Sequence, residues 1–216
     1  MFDWDSMKNK IILADNKDVM KDIPDKYFEL AIVDPPYGIG FSENVNSITG
    51  GIKYEIKTWD RKIPNKNYFD ELFRISKNQI IWGGNYFIEH LKNTPCFIIW
   101  DKNNGKSNFA DCEIAWTSFP SPIRKFKNTW CGSSAKQQEG INKIHPTQKP
   151  IALYRWLLQN YAKPGDKIID THSGSGSLAC ACHLEGFDFL AIEKDEDYYK
   201  SSCDRLEILR SQGTLF

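Results

Sequence analysis

Apolar residues along this chain fall into two periods, short runs of four to six and longer stretches with helical spacing. Lys10 to Ala14 (KIILA) reads as a short buried strand ending at Asp15, and Phe28 to Val33 (FELAIV) as a second strand stopped by Asp34-Pro35-Pro36. Residues 38–64 are polar, contain glycine and carry little periodicity, so a long loop is expected. Tyr68, Phe69, Leu72 and Phe73 predict a helix over Lys66 to Ser76. Strands follow at Gln79 to Trp82, Phe97 to Trp100 and Glu113 to Phe119, with Ile123 to Phe126 expected to pair nearby as an antiparallel edge. A second long loop is expected from Asn128 to Lys149.

The last third is the most regular. Ile151 to Tyr161 predicts an amphipathic helix closed by Lys163-Pro164-Gly165, and Lys167 to Asp170 a strand. Ser173-Gly174-Ser175-Gly176 is a tight turn before a small-residue helix, Ser177 to Glu185. Phe187 to Ile192 is a strand ending at Glu193, and Asp195 caps a final helix running to about Arg210. Strands alternating with helices predict an α/β fold, a doubly wound and mostly parallel sheet with an antiparallel edge hairpin.

Composition narrows the class. With 216 residues, one domain spanning 1–216 is the default and two small ones are allowed. An aromatic content of 13% and the lack of low-complexity tracts exclude disorder as the main state. No apolar run is long enough to cross a bilayer, and the start MFDWDSMKNK has no apolar core of a secretory signal. The 28 basic and 28 acidic residues balance, which argues against coating nucleic acid by charge alone. From Arg124 to Pro150, however, six basic residues face one acid, Glu139: either a solvated loop or a local basic face. The six cysteines form no C-x-x-C pair, so neither a metal site nor a disulfide framework is expected, and a reducing, cytoplasmic setting fits.

Three segments carry chemistry. Asp170-Thr171-His172-Ser173-Gly174-Ser175-Gly176-Ser177 places a glycine-rich turn between a strand and a helix, where backbone N–H groups meet a ligand. Glu193, at the end of the next strand, can accept both hydroxyls of a ribose. A dinucleotide-binding turn or a plain tight turn satisfies the same residues. Asp34-Pro35-Pro36-Tyr37 at a strand end offers a carboxylate and a stiffly held carbonyl, two acceptors for one exocyclic –NH₂, with an aromatic ring to stack on its heterocycle. Such acceptors favour the form in which the amine's lone pair is free. His145-Pro146-Thr147-Gln148-Lys149-Pro150 precedes a helix, and by itself is a loop-to-helix entry.

Together and in this order the three segments resemble the β-type, permuted DNA amino-methyltransferases of the N6-adenine/N4-cytosine family. Ile81-Trp-Gly-Gly-Asn85, Trp100-Asp-Lys102, Cys112-Glu-Ile-Ala-Trp116 and Ile192-Glu-Lys-Asp195 add to the likeness, which covers roughly residues 10 to 210. The resemblance implies a class I S-adenosylmethionine-dependent methyltransferase fold with circularly permuted motifs, S-adenosylmethionine as cofactor, and double-stranded DNA as partner. It implies Asp34, Pro35, Pro36 and Tyr37 as the catalytic tetrapeptide. Asp170, Thr171, Ser173, Gly174, Ser175, Gly176 and Ser177 would line the methionine side, and Glu193 the ribose. Lys149 and Thr147 would close over the methionine end, with His145 and Asp34 as further cofactor-binding residues. Asp15, ending a strand expected beside that of Asp34, resembles the acidic position at the adenine amine, with a surface turn as the alternative.

An aspartate heading the tetrapeptide is more typical of adenine-N6 enzymes, with cytosine N4 as the alternative. Residues 38–64 and 124–144 are the candidate DNA-contacting loops, with Trp59 and Trp130 to wedge or stack, or simply to pack. The resemblance allows a homodimer and a restriction partner and implies a bacterial or phage setting. A nicotinamide oxidoreductase leaves the DPPY and HPTQKP segments unexplained, and a non-catalytic relic leaves three intact motifs unexplained. His172 stands where the family commonly has other residues, and is expected to pack.

Overall fold

The computed structural model describes residues 2–43, 54–105, 110–130, 132–140 and 143–212, without the side chains of 132–135. Its strands are β1 (Lys10–Leu13), β2 (Phe28–Val33), β3 (Ser76–Trp82), β4 (Phe97–Asp101), β5 (Cys112–Thr117), β6 (Arg124–Lys127), β7 (Lys167–Asp170) and β8 (Asp188–Glu193). They form one sheet in the order β1-β8-β7-β2-β3-β5-β4-β6. β1, β8, β7, β2 and β3 are parallel neighbours, β5 runs antiparallel to both β3 and β4, and β6 pairs parallel with β4.

Two sequence expectations change here. The segment Ile123 to Phe126 does supply the edge strand, but that edge runs parallel to β4, and the reversed strand is β5, two places in. The strand ending at Asp15 does not lie beside that of Asp34. It pairs with β8, Leu13 opposite Glu193, and two strands separate it from β2. Both misplacements concern which strand pairs with which, a non-local choice that alternation along one segment does not encode.

From Leu30 of β2 onward, the buried strand residues alternate between the two layers. Leu30 and Ile32 of β2, Ile80 and Trp82 of β3, Ile168 of β7 and Phe189 and Ala191 of β8 pack into one core. Helices Ile151–Tyr161 and Ser177–Glu185, through Leu153, Leu157 and Leu178, cover that face. Ala31, Val33, Ile81, Ile169, Leu190 and Ile192 face the other core, under helix Lys66–Ile75 with Tyr68, Phe69 and Leu72. The first helix begins at Pro150, whose ring suits an N-terminus, and the second ends at Gly186 with φ 74°, a left-handed stop. A helix at Gly132–Glu139 and short ones at Trp4–Met7 and Asn16–Met20 interrupt stretches that show no apolar periodicity. No helix among the described residues is long and apolar enough to cross a membrane.

The parallel strands all end at one edge, and the strand order reverses between β7 and β2. That is where a doubly wound sheet opens a crevice. β3 reaches the same edge and ends at Gly83, which sits at φ 70°; a β-carbon there would lie 2.2 Å from the Tyr37 ring. We expect Gly83→Ala to cost about 2–4 kcal/mol, the sum of left-handed strain and overpacking. Thermal or urea unfolding measures it, and a loss below 1 kcal/mol would mean that Tyr37 moves aside freely.

Candidate functional site

Strand ends of this sheet build the floor of a cavity of about 860 Å³. Asp15, Asp34, Pro36, His145, Thr147, Lys149, Thr171, Ser173, Gly174, Ser175, Ser177 and Glu193 all lie on its wall. Asp170, Gly176, Pro35 and Tyr37 stand behind the wall rather than on it. The size is that of a small-molecule site.

Asp34 follows the last residue of β2 and is locked at both oxygens. Tyr37 Oη donates to Oδ1 at 2.7 Å, and the Lys149 ammonium donates to Oδ2 at 2.5 Å. Burial lifts the Asp34 carboxyl above its ordinary range, and Lys149 works against that rise. Burial equally opposes the charge on Lys149, but Asp34 and Glu113 outweigh it and hold the lysine protonated. Lys149 lines the cavity beside Asp34, and its ammonium rests on that carboxylate. Tyr37 departs from the sequence expectation, since Tyr86 stacks on its ring at 4.9 Å and 15° and Gly83 abuts it. A base would have to displace Tyr86 to reach the Tyr37 face that Tyr86 covers.

The glycine turn is organised from beside and behind. Glu193 Oε2 accepts from Gly174 N at 2.7 Å, and Oε1 from Lys194 N and Asp195 N at 3.0 and 2.9 Å. Arg205 donates to Ser175 O at 2.8 Å and Ser177 Oγ at 2.9 Å, and pairs with Glu139. Ser173 Oγ is buried on the cavity wall with no hydrogen-bond partner among the described residues. An orphaned hydroxyl, a glycine turn and a strand-end carboxylate on one wall suit a ligand bearing a nucleoside and a polar, positively charged arm.

Asp170 is pushed up to about 8, by burial first and then by Asp34 and Glu193, while a bond from His172 N at 3.0 Å opposes the rise. His145 packs edge-on against Tyr198 at 4.2 Å and tilted against Trp59 at 5.2 Å. Burial holds it to about 3, so it is neutral near pH 7. His172 packs as expected: Asn16 Nδ2 lies 3.1 Å from its Nε2 and Thr171 Oγ1 lies 3.0 Å from Nδ1. Asp15 caps helix Asn16–Met20 through Lys17 N at 2.9 Å.

Sequence reasoning missed three contributors. Glu113 of β5 lies 3.0 Å from the Lys149 ammonium and 2.6 Å from that of Lys102. Its signal was one acid inside an otherwise apolar strand. Lys57 bridges Asp195 and Asp197 at 2.7 Å each, tying the 54–64 stretch to the last helix. Residues 55–59 and 61–64 line the cavity, so that part of the candidate DNA loop is site wall; 44–53 lie outside the described residues. In the second candidate loop, Glu139 turns inward onto Arg205, and Trp130 is buried with its Nε1 donating to Gln148 O at 2.6 Å. Exposed Arg124, Lys125 and Lys127 remain on edge strand β6.

Comparison with known proteins finds similarity to DNA methylases. The N6/N4 model described as DNA methylase matches residues 121–204, which run from β6 through the glycine turn into the last helix. Over those residues the chain is similar to the N6/N4 DNA methylase family. Among curated relatives, a ribosomal protein L11 methyltransferase of Staphylococcus carnosus is 27% identical over 91% of this chain and 62% of its own length. The type II methyltransferase M2.DpnII of Streptococcus pneumoniae is 28% identical over 69% of the chain and 49% of its own length. The chain thus spans about half to three-fifths of those methylase relatives. The solved M1.HpyAVI–SAM complex superposes with a TM-score of 0.58 at 20% identity, over 91% of this chain and 98% of that one. PvuII DNA methyltransferase (cytosine-N4-specific) gives 0.59 at 14%, over 94% and 90%. At such identities these two share the methylase fold.

The protonated Asp170 has a consequence for stability. Its unfolded carboxyl titrates near about 3.9, so the folded state holds the extra proton between there and about 8. Stability therefore falls as pH rises through that window and stays low above it. We expect Asp170→Asn to melt above the parent at pH 8.5, with the gap shrinking toward pH 5.5. A gap independent of pH would mean that Asp170 is ionised throughout.

Proposed function

We propose that this protein transfers a methyl group from S-adenosylmethionine to the exocyclic N6 of adenine in double-stranded DNA. One observation carries the reading: the Asp34 carboxylate and the Gly174 turn lie on the walls of the same cavity. The names of the type II methyltransferase relatives, and the SAM complex among the structures of like fold, support it.

S-adenosylmethionine supplies an electrophilic methyl group on a positively charged sulfur. The chain's own residues do the rest. Glu193 takes the ribose, the Gly174 turn lines the methionine side, Ser173 Oγ gains its missing partner, and Asp170, behind that turn, supplies negative charge toward the positively charged arm. A cation there favours the ionised form of Asp170, so binding near pH 7 releases a proton. Asp34 and the Pro35 carbonyl accept from the target amine and stabilise the positive charge that develops on it. No residue serves as a covalent nucleophile. Cys96, the residue that a carbon-5 mechanism would need after a proline, is fully buried ahead of β4 and takes a bond from Ser121 Oγ at 3.1 Å.

Cytosine N4 is the alternative acceptor, because the same two acceptors serve either amine. Nucleoside mass spectrometry of DNA incubated with protein and labelled cofactor separates them. A parallel incubation with ribosomal protein L11 examines the acceptor named for the Staphylococcus relative. Label in N6-methyladenosine of the DNA supports the proposal, and label confined to L11 or to N4-methylcytosine overturns the acceptor assigned here.

Two substitutions separate the roles. Asp34→Ala is expected to cut transfer by about 10²–10³-fold or more while the cofactor dissociation constant changes little. Glu193→Ala is expected to weaken the cofactor about tenfold, roughly 1.4 kcal/mol, read by titration calorimetry. An unchanged constant would remove Glu193 from the site.

A further inference from the structure

We propose that Glu113 is a positioning residue: it is the second seat of the Lys149 ammonium, and it takes that ammonium from Asp34 when the acceptor amine enters. This rests on the role of Asp34 proposed above. An ammonium at 2.5 Å from Asp34 suits the resting protein, because a buried lone carboxylate is costly. It opposes the reaction, because positive charge must develop on the amine that Asp34 accepts from. The lysine has to leave that oxygen without leaving the interior.

The surroundings offer one destination. Lys149 is 2% exposed, so it does not reach water by a small rotation. Glu113 Oε2 lies 3.0 Å from its nitrogen. That oxygen is buried and, among the described residues, has no closer donor than Lys149, whose shorter contact is to Asp34. The other oxygen of Glu113 is already held by Lys102 at 2.6 Å. Despite burial, the two ammoniums keep Glu113 down to about 2, so the seat is charged at any working pH. The rings of Trp82 and Tyr37, 5.3 and 5.7 Å from the nitrogen, flank the ammonium on its short path. Four groups thus alternate in sign, Asp34, Lys149, Glu113 and Lys102, and a shift of one ammonium between two carboxylates leaves the net charge of the row unchanged.

The test has an arm that needs no methyl transfer. Asp34 is surrounded by Tyr37 beside it, Lys149 before helix Ile151–Tyr161, Tyr154 on that helix, Tyr68 on helix Lys66–Ile75, Asp170 on β7 and Glu113 on β5. Of these, Glu113 competes with Asp34 for the ammonium. In carboxylate ¹³C NMR of the apo protein, Glu113→Gln is expected to lower the Asp34 titration midpoint by at least one pH unit. An unmoved midpoint overturns the inference, even if the protein methylates nothing.

Where transfer is measurable, Glu113→Gln is expected to lower the single-turnover rate at least thirtyfold, with the S-adenosylhomocysteine dissociation constant within threefold. Glu113→Asp, which retains the charge, is expected to keep most of the rate, and it stands in if the glutamine variant does not fold. The double variant Glu113→Gln, Lys149→Met removes both the seat and its occupant. It is expected to be faster than Glu113→Gln alone, which a merely structural glutamate would not produce. Losses that multiply in the double variant overturn the proposal. Failure of the parent to methylate any substrate overturns the functional reading and leaves the NMR result to judge Glu113.

Discussion

Parallel strands that end together bring their terminal carboxylates together, and a buried carboxylate needs a partner or a proton. Asp34, Asp170 and Glu193 end or follow three adjacent strands of one sheet, and Asp15 follows the next. Each meets the demand differently. Asp15 caps a helix, Glu193 gathers three backbone N–H groups, Asp34 takes an ammonium and Asp170 keeps a proton. The repulsion among them makes the edge receptive to a cation. A positively charged ligand relieves Asp170 of its proton and gives the unpartnered Ser173 hydroxyl a neighbour, so charge and hydrogen bonding select for the same kind of molecule.

The chain announces the layers of this fold more clearly than their order. Runs such as Phe28–Val33 and Lys167–Asp170 are bounded by turn residues, and both form the strands expected of them. Helices Ile151–Tyr161 and Ser177–Glu185 likewise begin and end at their proline and glycine signals. Lateral order is another matter, because the sheet decides it through contacts far apart in sequence. The sequence suggests β1 as a neighbour of β2, yet β1 pairs with β8, formed from the other end of the chain. The helix at Gly132–Glu139 escaped notice because GSSAKQQE has no apolar face to reveal it.

The candidate site follows the same division. Residues that announce themselves by unusual chemistry, the Asp-Pro-Pro-Tyr tetrapeptide and the glycine turn, were legible. Residues that act by completing a buried charge row were not. Glu113 and Lys102 come from antiparallel neighbours β5 and the end of β4, and only the fold brings them to Lys149. By itself HPTQKP reads as a loop-to-helix entry, and in the structure its backbone is fastened. Gln148 O receives Trp130, Gln148 Nε2 donates to Glu139 at 3.3 Å, and Lys149 O accepts from Ser177 at 2.7 Å. A fastened backbone leaves Lys149 only side-chain freedom, which is why its choice of carboxylate matters.

The fastening is uneven around the cavity. Its floor is strand ends and the glycine turn, held by ladder hydrogen bonds and by a nearly fully buried Arg205–Glu139 pair whose disruption would strand a charge. Its opposite wall, residues 55–59 and 61–64, is held to the last helix through Lys57, whose partner Asp197 is 67% exposed, and Arg61 pairs with Glu43 at the surface. The exposed Lys57–Asp197 and Arg61–Glu43 pairs contribute about 0–1 kcal/mol each and weaken with salt, while the more sheltered Lys57–Asp195 pair holds more firmly. The two sides therefore differ in what it costs to move them. A ligand large enough to need displacement of protein gains entry most cheaply on the Lys57 side, while the charged row beneath it keeps its geometry.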